Sequence, residues 1–167
     1  AADRAAELAK TDLTTEMVGE FPELQGIVGG LYARHQGESE DVAAAVRDHY
    51  KPAGARDALP STAAGQIVAI ADKLSTLGGL FRAGMKPTGS KDPFALRRAA
   101  YGVIRILAEC ELPFSIAKLS ELAAAGDETR SLEEFFAERL RRYLAEGPRH
   151  RYDEVNAVMS ASSDVPL

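Results

Sequence analysis

The chain has 167 residues, and its 20 lysine and arginine residues against 25 aspartate and glutamate residues give a formal net charge of -5. Hydrophobic residues make up 46% of the chain and charged residues 27%, which excludes disordered and fibrous proteins and predicts a soluble globular one. The acidic balance argues against a general polyanion-binding protein but allows a local basic patch, and no apolar run is long enough to span a membrane.

A single cysteine and the two chain ends bear on where the protein works. Cys110 alone excludes an internal disulfide and predicts a reducing compartment, which we take to be the cytoplasm. The chain starts in a helical pattern without an initiator methionine or a secretion signal, and it ends at Asp164–Leu167 without a helix-terminating residue. We therefore expect these ends to be those of a piece of a longer protein.

The pattern of apolar residues predicts an all-α fold. Alanine and leucine are abundant, and apolar residues recur three and four positions apart, which favours a bundle of about seven to eight helices. Loops are predicted at 51–60 and 84–91, where glycine and proline interrupt the periodicity. The predicted helices are, in chain order, 3–18, a second after Phe21–Pro22, a third from the cap Ser39 to Tyr50, 61–82, one beginning at Pro93 behind the cap Asp92, 114–125, 132–146 and 152–161.

Helical spacing also predicts which side chains face the core. In the first, second and longest helices, the predicted apolar faces include Leu13, Met17, Ile27, Leu31, Tyr32 and Ile67. In the helix behind Asp92, the spacing predicts a buried face of Leu96, Ala100, Val103 and Leu107, and a solvent face of Arg98, Gly102, Arg105 and Glu109.

The residues that most often bind metals are scattered. His35, His49 and His150 form no pair at the spacing of zinc ligands, and the lone cysteine has no companion. We therefore predict no metal site.

Two segments resemble a known superfamily. The first runs from Val46 through His49 to a helix that carries Asp72 in the sequence Ala-Asp-Lys-Leu. It resembles the second half of the HD superfamily of metal-dependent phosphohydrolases, in which a histidine near a helix end and an aspartate in an Ala-Asp motif face one metal centre. His49 and Asp72 match those positions, and the stretch Ala5–Leu13 resembles the helix that carries the His-Asp doublet of that superfamily.

The doublet itself is missing from this chain. No His-Asp dipeptide occurs, and its place is filled by Ala9–Lys10 or Thr11–Asp12. Without an adjacent imidazole and carboxylate, the site lacks ligands to hold a cation and lower the pKa of its water. The resemblance therefore implies an HD-domain-like helical bundle that has lost its hydrolase site, with a degenerate pocket formed by Asp12, His49, Asp72 and Lys73.

The sequence leaves two interpretations of Asp72. A buried carboxylate in the middle of a helix is costly unless it is paired, and the candidate partners are Lys10, Arg56, Lys73 and His49. We favour a structural polar network over a ligand site.

The resemblance then narrows to one family over about two thirds of the chain, from about Ala5 to Glu109. Five blocks carry it in order, namely Phe21–Gly26, His49–Tyr50, Asp57–Pro60, Ala71–Leu74 and Pro87–Ala100. They resemble the HD-like region of the bacterial glycyl-tRNA synthetase β subunit, and Tyr152–Met159 resembles the helix that follows there. We predict an HD-like domain over residues 1–110 and additional helices over 111–167.

The resemblance implies a role in a larger enzyme. In that family, a class II aminoacyl-tRNA synthetase, a separate α subunit activates glycine with ATP and magnesium, and the β subunit takes part in tRNA recognition. The chain is therefore expected to be a non-catalytic module that supports tRNA positioning and subunit architecture and needs no cofactor of its own. Its expected partners are the α subunit, the remaining β-subunit domains and the tRNA for glycine, with no membrane.

Contact with tRNA needs cations on one surface, and two clusters provide them. The first consists of Lys86, Lys91, Arg97, Arg98 and Arg105, beside a helix N-terminus that could also bind a phosphate. The competing interpretation is that Asp92 occupies those N–H groups, Phe94 packs into the core, and Arg97 or Arg98 pairs with a carboxylate. The second cluster, for which a structural interpretation is favoured, consists of Arg139, Arg141, Arg142, Arg149, His150 and Arg151, near Tyr143 and Tyr152.

Two other function classes stay open. An active HD-type phosphohydrolase would need the missing doublet and a bound divalent metal. A helical protein-interaction module predicts no tRNA binding and a large apolar surface that is buried only against a partner.

Overall fold

The computed structural model describes residues 1–146, 153, 154 and 157. Two 3-10 turns, Thr11–Thr14 and Pro22–Leu24, separate the first helices, and no strand forms over this part of the chain, as the all-α prediction required. None of the described helices is both long and apolar enough to cross a membrane. The helices are α1 (Ala2–Leu8), α2 (Glu16–Glu20), α3 (Ile27–His35), α4 (Glu40–Asp48), α5 (Ala63–Arg82), α6 (Leu96–Glu109), α7 (Ile116–Ala123) and α8 (Asp127–Glu146).

The chain divides into two compact units, Ala1–Asp72 and Lys73–Leu167, with the boundary inside α5. In the first unit α4 packs against α3 and α1, and small side chains form the core: Ala5, Val42, Ala45, Val46 and Val68. In the second unit α8 packs against α6 and α7, and the buried residues are larger: Phe81, Leu96, Ile104, Leu107, Leu132 and Phe136. The domain division predicted at residue 110 stays a prediction.

In each unit a glycine allows one helix to approach another element closely. A Cβ atom at Gly30 would lie 2.7 Å from the Cβ of Arg47, so α3 and α4 meet where no further side chain fits. A Cβ atom at Gly78 would lie 2.0 Å from the carbonyl oxygen of Ala123, the last residue of α7. At Gly79, one position further along α5, an added Cβ would meet nothing within 4 Å.

The single helix predicted over 3–18 is wrong, because this segment consists of α1, a 3-10 turn and α2. The first helix ends before Lys10, whose φ of 67° lies in the left-handed region that a helix cannot contain. Two residues later Asp12 is buried at 2% exposure and binds the start of α3. This tertiary contact overrides the helix propensity of the segment.

Most of the other predicted helices are present with shifted ends. Ser39 caps α4 by accepting the Val42 N–H at 3.4 Å, as predicted. The helix predicted over 61–82 is α5, and those predicted over 114–125 and 132–146 are α7 and α8, with α8 beginning earlier, at Asp127. The helix predicted over 152–161 lies almost entirely outside the described residues.

Several side chains predicted to face the core are exposed. Large apolar side chains of the first unit with 42–54% exposure, here called the exposed apolar set, are Leu13, Met17, Phe21, Ile27, Leu31, Tyr32 and Ile67. Helical spacing identifies an apolar face but does not say whether another element covers it. In α6, Leu96, Ala100, Val103 and Leu107 are buried as predicted. Of the predicted solvent face, however, Gly102 is buried and the Arg105 side chain is only 11% exposed.

Candidate functional site

Asp12, one of the four residues of the predicted degenerate pocket, is buried in the first unit. Its Oδ2 accepts hydrogen bonds from the backbone N–H of Gly26 at 2.7 Å and of Gly29 at 3.1 Å. Both groups lie at the N-terminus of α3, where N–H groups lack partners within the helix. A carboxylate from another element therefore caps α3, and its charge also suits the positive end of the helix dipole.

His49 is fully buried at the end of α4. Its Nδ1 lies 2.6 Å from the carbonyl oxygen of Val46, and because a carbonyl only accepts, Nδ1 carries the hydrogen. Nε2 is then an acceptor in the neutral ring, and neither it nor Asp12 Oδ1 has a hydrogen-bond partner among the described residues. Burial lowers the pKa of His49, so the neutral ring is favoured.

Tyr50 lies against His49. Its ring centroid lies 3.9 Å from that of His49, and its Cδ2 lies 3.2 Å from where a Cβ at Gly26 would stand. Burial, with the charges of Asp12 and Asp72, raises the pKa of the Tyr50 hydroxyl to about 12. The phenol therefore stays neutral at physiological pH.

Asp72 pairs with the ammonium group of Lys10, one of the four partners considered from the sequence. The left-handed backbone at Lys10 belongs to the same break between α1 and the 3-10 turn that brings Asp12 inward. Lys73, the next residue of α5, is buried with 6% exposure.

These side chains do not fit a divalent metal. The described part of the chain contains no group of three or more histidine, cysteine, aspartate or glutamate side chains that could hold one. His49 and Asp12 each offer one acceptor, whereas the Asp72 carboxylate is paired with a lysine ammonium. The charges of the cluster are therefore satisfied largely by the chain itself, and we derive no hydrolytic step from it.

A second buried carboxylate, Asp48, was missed by the sequence analysis. It is 1% exposed and binds Arg47 at 2.8 Å, Lys51 at 2.9 Å, and both the N–H and the hydroxyl of Ser61. Burial alone would raise the pKa of Asp48, but the hydrogen bonds from Arg47, Lys51 and Ser61 outweigh it and hold the pKa well below its usual range. The signal was present in the sequence as an aspartate between two basic residues at a helix end.

The loop before α6 is fixed by its own polar groups. Thr88 and Lys91 exchange two backbone hydrogen bonds, of 3.2 and 2.9 Å. The Arg97 guanidinium donates to the carbonyl oxygens of Gly89 at 2.7 Å and of Lys91 at 3.3 Å. These bonds tie the loop to its own backbone groups, so Arg97 acts here as a structural group and binds carbonyls rather than the carboxylate that the competing interpretation expected.

Asp92 is not the positional N-cap, because α6 begins three residues later than predicted, at Leu96, behind Ala95 with a left-handed φ of 55°. The Asp92 carboxylate nevertheless accepts the N–H of Leu96 at 2.8 Å and of Arg97 at 3.0 Å. A phosphate at this N-terminus would have to displace that carboxylate, so these N–H groups do not form an open phosphate site.

The five cations of the first cluster divide into engaged and open ones. Lys86 donates to Ser131 at 2.8 Å, Arg97 holds the loop, and Arg105 pairs with Glu109 at 2.7 Å. Lys91 and Arg98 are exposed, and neither side chain forms a hydrogen bond or an ion pair with another described residue. The structure thus leaves Lys91 and Arg98 available to a partner.

Phe94 does not pack into the core, contrary to the competing interpretation of this block. It is 50% exposed, in the turn between Asp92 and the left-handed Ala95. Because the backbone on both sides is held by the Asp92 carboxylate and the Arg97 guanidinium, the exposed ring is a feature of an ordered turn.

Of the three described arginines of the second basic cluster, Arg139 and Arg142 bind other groups of the chain, as the structural interpretation expected. Arg141 is exposed and forms no side-chain hydrogen bond or ion pair with another described residue. Arg139 is 7% exposed, donates to the carbonyl oxygen of Phe135 at 2.7 Å and lies over its ring at 3.7 Å. Arg142 pairs with Glu146 at 2.6 Å, and Tyr143 makes an edge contact with Tyr101. Four members of the prediction lie outside the described residues, namely Arg149, His150, Arg151 and Tyr152.

Comparison with known proteins places these features in a family. A sequence model described as "Glycyl-tRNA synthetase beta subunit" matches residues 1–160. The chain is 53% identical to the glycine–tRNA ligase beta subunit of Ralstonia nicotianae, covering 95% of this chain and 24% of the relative. It is 51% identical to that of Acidobacterium capsulatum, with 96% and 24% coverage, and 49% identical to that of Acidithiobacillus ferrooxidans, with 99% and 25% coverage.

The extent of these matches sets what they establish. The chain spans about a quarter of the length of these curated relatives. The family match, by contrast, extends over nearly the whole chain. It includes Asp12, His49 and Asp72 with its partner Lys10, here called the buried polar cluster, and residues 84–98, the loop with the first turn of α6, here called the basic loop. The chain therefore belongs to the glycyl-tRNA synthetase beta subunit family.

Proposed function

We propose that this chain is a non-catalytic module of the β subunit of a two-subunit glycine–tRNA ligase, where it helps to bind and position the tRNA. The α subunit would carry out the attachment of glycine with ATP and magnesium. The observation that carries the tRNA-binding role is the pair Lys91 and Arg98, two exposed cations without a side-chain partner among the described residues.

The fixed loop supports this role. Arg97 and Asp92 use their charges on backbone groups of the loop and of α6. The backbone that carries Lys91 and Arg98 is therefore hydrogen-bonded before the RNA binds. Such a segment loses less conformational entropy on binding than a disordered segment would. Cations of this kind suit the phosphate groups of an RNA backbone, whose binding they make sensitive to salt.

The buried polar cluster has a structural part in this proposal. Asp12 caps α3, Lys10 pairs with Asp72, and His49 is held neutral in the interior. The module would keep the HD-like arrangement as a scaffold, without phosphohydrolase activity.

A second candidate function, protein interaction, is favoured by the exposed apolar set in the first unit. Single exposed apolar side chains are common on protein surfaces, but seven large ones at 42–54% exposure in one unit favour an interaction surface. Contact with the α subunit or with other parts of the β subunit would cover them, and this is compatible with tRNA binding through the loop of the second unit.

The test measures glycylation by the two-subunit enzyme with the double change Lys91→Ala/Arg98→Ala. We expect the apparent KM for tRNA to rise about tenfold, with the KM values for ATP and glycine unchanged. Because two phosphate contacts are lost, the slope of log Kd for tRNA against log salt should fall by about two.

A matched control removes two other exposed cations of the second unit. Lys118→Ala/Arg130→Ala changes the net charge equally, and these side chains pair with Glu121 and Glu134. Circular dichroism of each variant checks that it is folded. Equal tRNA affinity in the two double variants would exclude the loop as a tRNA contact and favour the protein-interaction function.

A further inference from the structure

The exposed ring of Phe94 is the feature of the loop that phosphate binding leaves unexplained. Phe94 is 50% exposed, although burial of a phenylalanine ring stabilises a folded protein. The turn is fixed by the Asp92 carboxylate on one side and the left-handed Ala95 on the other. An ordered backbone thus keeps an aromatic ring at the surface.

The residues near Phe94 in the sequence carry more open positive than open negative charge. Lys91 and Arg98 lie within four residues of Phe94, and both are exposed. Asp92, the carboxylate in this stretch, is engaged by the N–H groups of Leu96 and Arg97. Within eight consecutive residues, 91–98, the chain therefore carries one exposed aromatic ring and two exposed cations without a side-chain partner among the described residues. An apolar protein contact would not require the cations.

Unpaired nucleotides have the complementary composition. A base offers a π-face that stacks on an aromatic side chain whatever its sequence, and the phosphates on either side of it are anionic. Double-stranded RNA does not fit equally well, because its bases are stacked on one another and do not expose their faces.

We propose that Phe94 stacks on one unpaired base of the bound tRNA, while Lys91 and Arg98 contact the phosphates next to that base. This inference rests on the proposed function and specifies what the loop binds, namely a single-stranded part of the tRNA. Phe94 is a binding residue in this proposal and has no part in the chemical step.

The experiment measures tRNA affinity of the two-subunit enzyme with Phe94→Ala, Phe94→Leu and Phe94→Trp. Loss of base stacking is expected to weaken binding by about 5- to 150-fold in Phe94→Ala. Phe94→Leu should lose as much, since leucine keeps apolar area but has no π-face, and Phe94→Trp should bind as tightly as the original chain. The slope against salt should stay unchanged in all three, because no cation is removed.

Met85→Ala provides the control, because Met85 is equally exposed at 50% in the same loop and has no ring. Full affinity in Phe94→Leu, or in Phe94→Ala, would overturn the stacking proposal. Weaker α–β association in sedimentation, with tRNA affinity of the assembled enzyme intact, would overturn it in favour of a protein contact.

The outcomes also separate this proposal from the proposed function. If Lys91→Ala/Arg98→Ala weakens tRNA binding and Phe94→Ala does not, stacking fails and tRNA contact by the loop stands. If neither variant affects tRNA affinity, both fail.

Discussion

The buried polar cluster of the first unit and the basic loop of the second use charged residues in opposite ways. In the cluster, Asp12 caps a helix and Lys10 neutralises Asp72, so the charges are used within the chain. In the loop, Asp92 and Arg97 are used to fix the backbone, and Lys91 and Arg98 stay open. The capacity of a segment to bind a charged partner therefore depends less on how many charged side chains it has than on how many of them are not already bound to groups of the chain.

The largest effect on stability is expected from Asp12→Ala, which removes the buried carboxylate that caps α3. Two backbone N–H groups of α3 would lose their acceptor in the interior, and an unsatisfied buried group costs about 1–3 kcal/mol. We expect the free energy of unfolding to fall by about 3 kcal/mol, measured by urea denaturation.

Asp57→Ala is the matched control for that loss. Asp57 also accepts two backbone N–H groups, from Ala53 at 3.0 Å and Gly54 at 2.8 Å, but it is exposed. Water can replace the lost acceptor there, so we expect a loss below about 1 kcal/mol. Similar losses at Asp12 and Asp57 would show that burial of the cluster does not decide its contribution.

A smaller effect is expected from acid, through His49. Burial lowers the pKa of His49 in the folded chain below its ordinary value of about 6.5, so the unfolded chain binds more protons in that range. Its contribution to stability is therefore present above about pH 6.5 and is lost as the pH falls. The urea midpoint should decrease from pH 7.5 to pH 5.5.

Two variants test whether this pH dependence of stability comes from His49. His49→Gln should flatten it over this interval, whereas His35→Gln, at an exposed position, should leave it unchanged. Parallel pH curves for the original chain and His49→Gln would place the sensitivity in other groups.

The smallest effect on global stability is expected in the loop. Arg97→Ala removes the donor to the carbonyl oxygens of Gly89 and Lys91, and we expect a loss within about 1 kcal/mol because these groups remain accessible to water. The Lys91 amide, which donates to Thr88 at 2.9 Å, should exchange its hydrogen about tenfold faster. Arg130→Ala is the control. Faster exchange of the Lys91 amide in both variants would contradict the conclusion that Arg97 stabilises the loop backbone.

Local patterns in the sequence were sufficient to predict much of the secondary structure. Ser39 as a cap and the long apolar repeat of α5 are encoded by neighbouring residues, and both are present. The break at Lys10 was not predictable in this way, because it depends on a contact between Asp12 and Gly26, fourteen positions away. The exposed apolar set was missed for a similar reason, since coverage of a face depends on its neighbours in space.

The candidate site divides along the same line. Resemblance to the HD superfamily grouped Asp12, His49, Asp72 and Lys73 as one polar pocket, and the structure places Asp12, His49 and Lys73 in the interior, with Asp72 paired to Lys10. Composition alone did not reveal which cations of the loop are engaged. Arg97 and Arg98 are adjacent in sequence, yet only Arg97 turns onto the carbonyl groups of the loop.

The two adjacent glycines of α5 illustrate how unevenly substitution is constrained along one helix. At Gly78 any side chain would overlap the backbone of Ala123, whereas Gly79 has space for one. Proteins commonly adjust the distance between two helices by enlarging or trimming the side chains between them, and at Gly78 no atom remains to be trimmed. A side chain at Gly78 would therefore have to move the C-terminal end of α7 away from α5, whereas one at Gly79 would not.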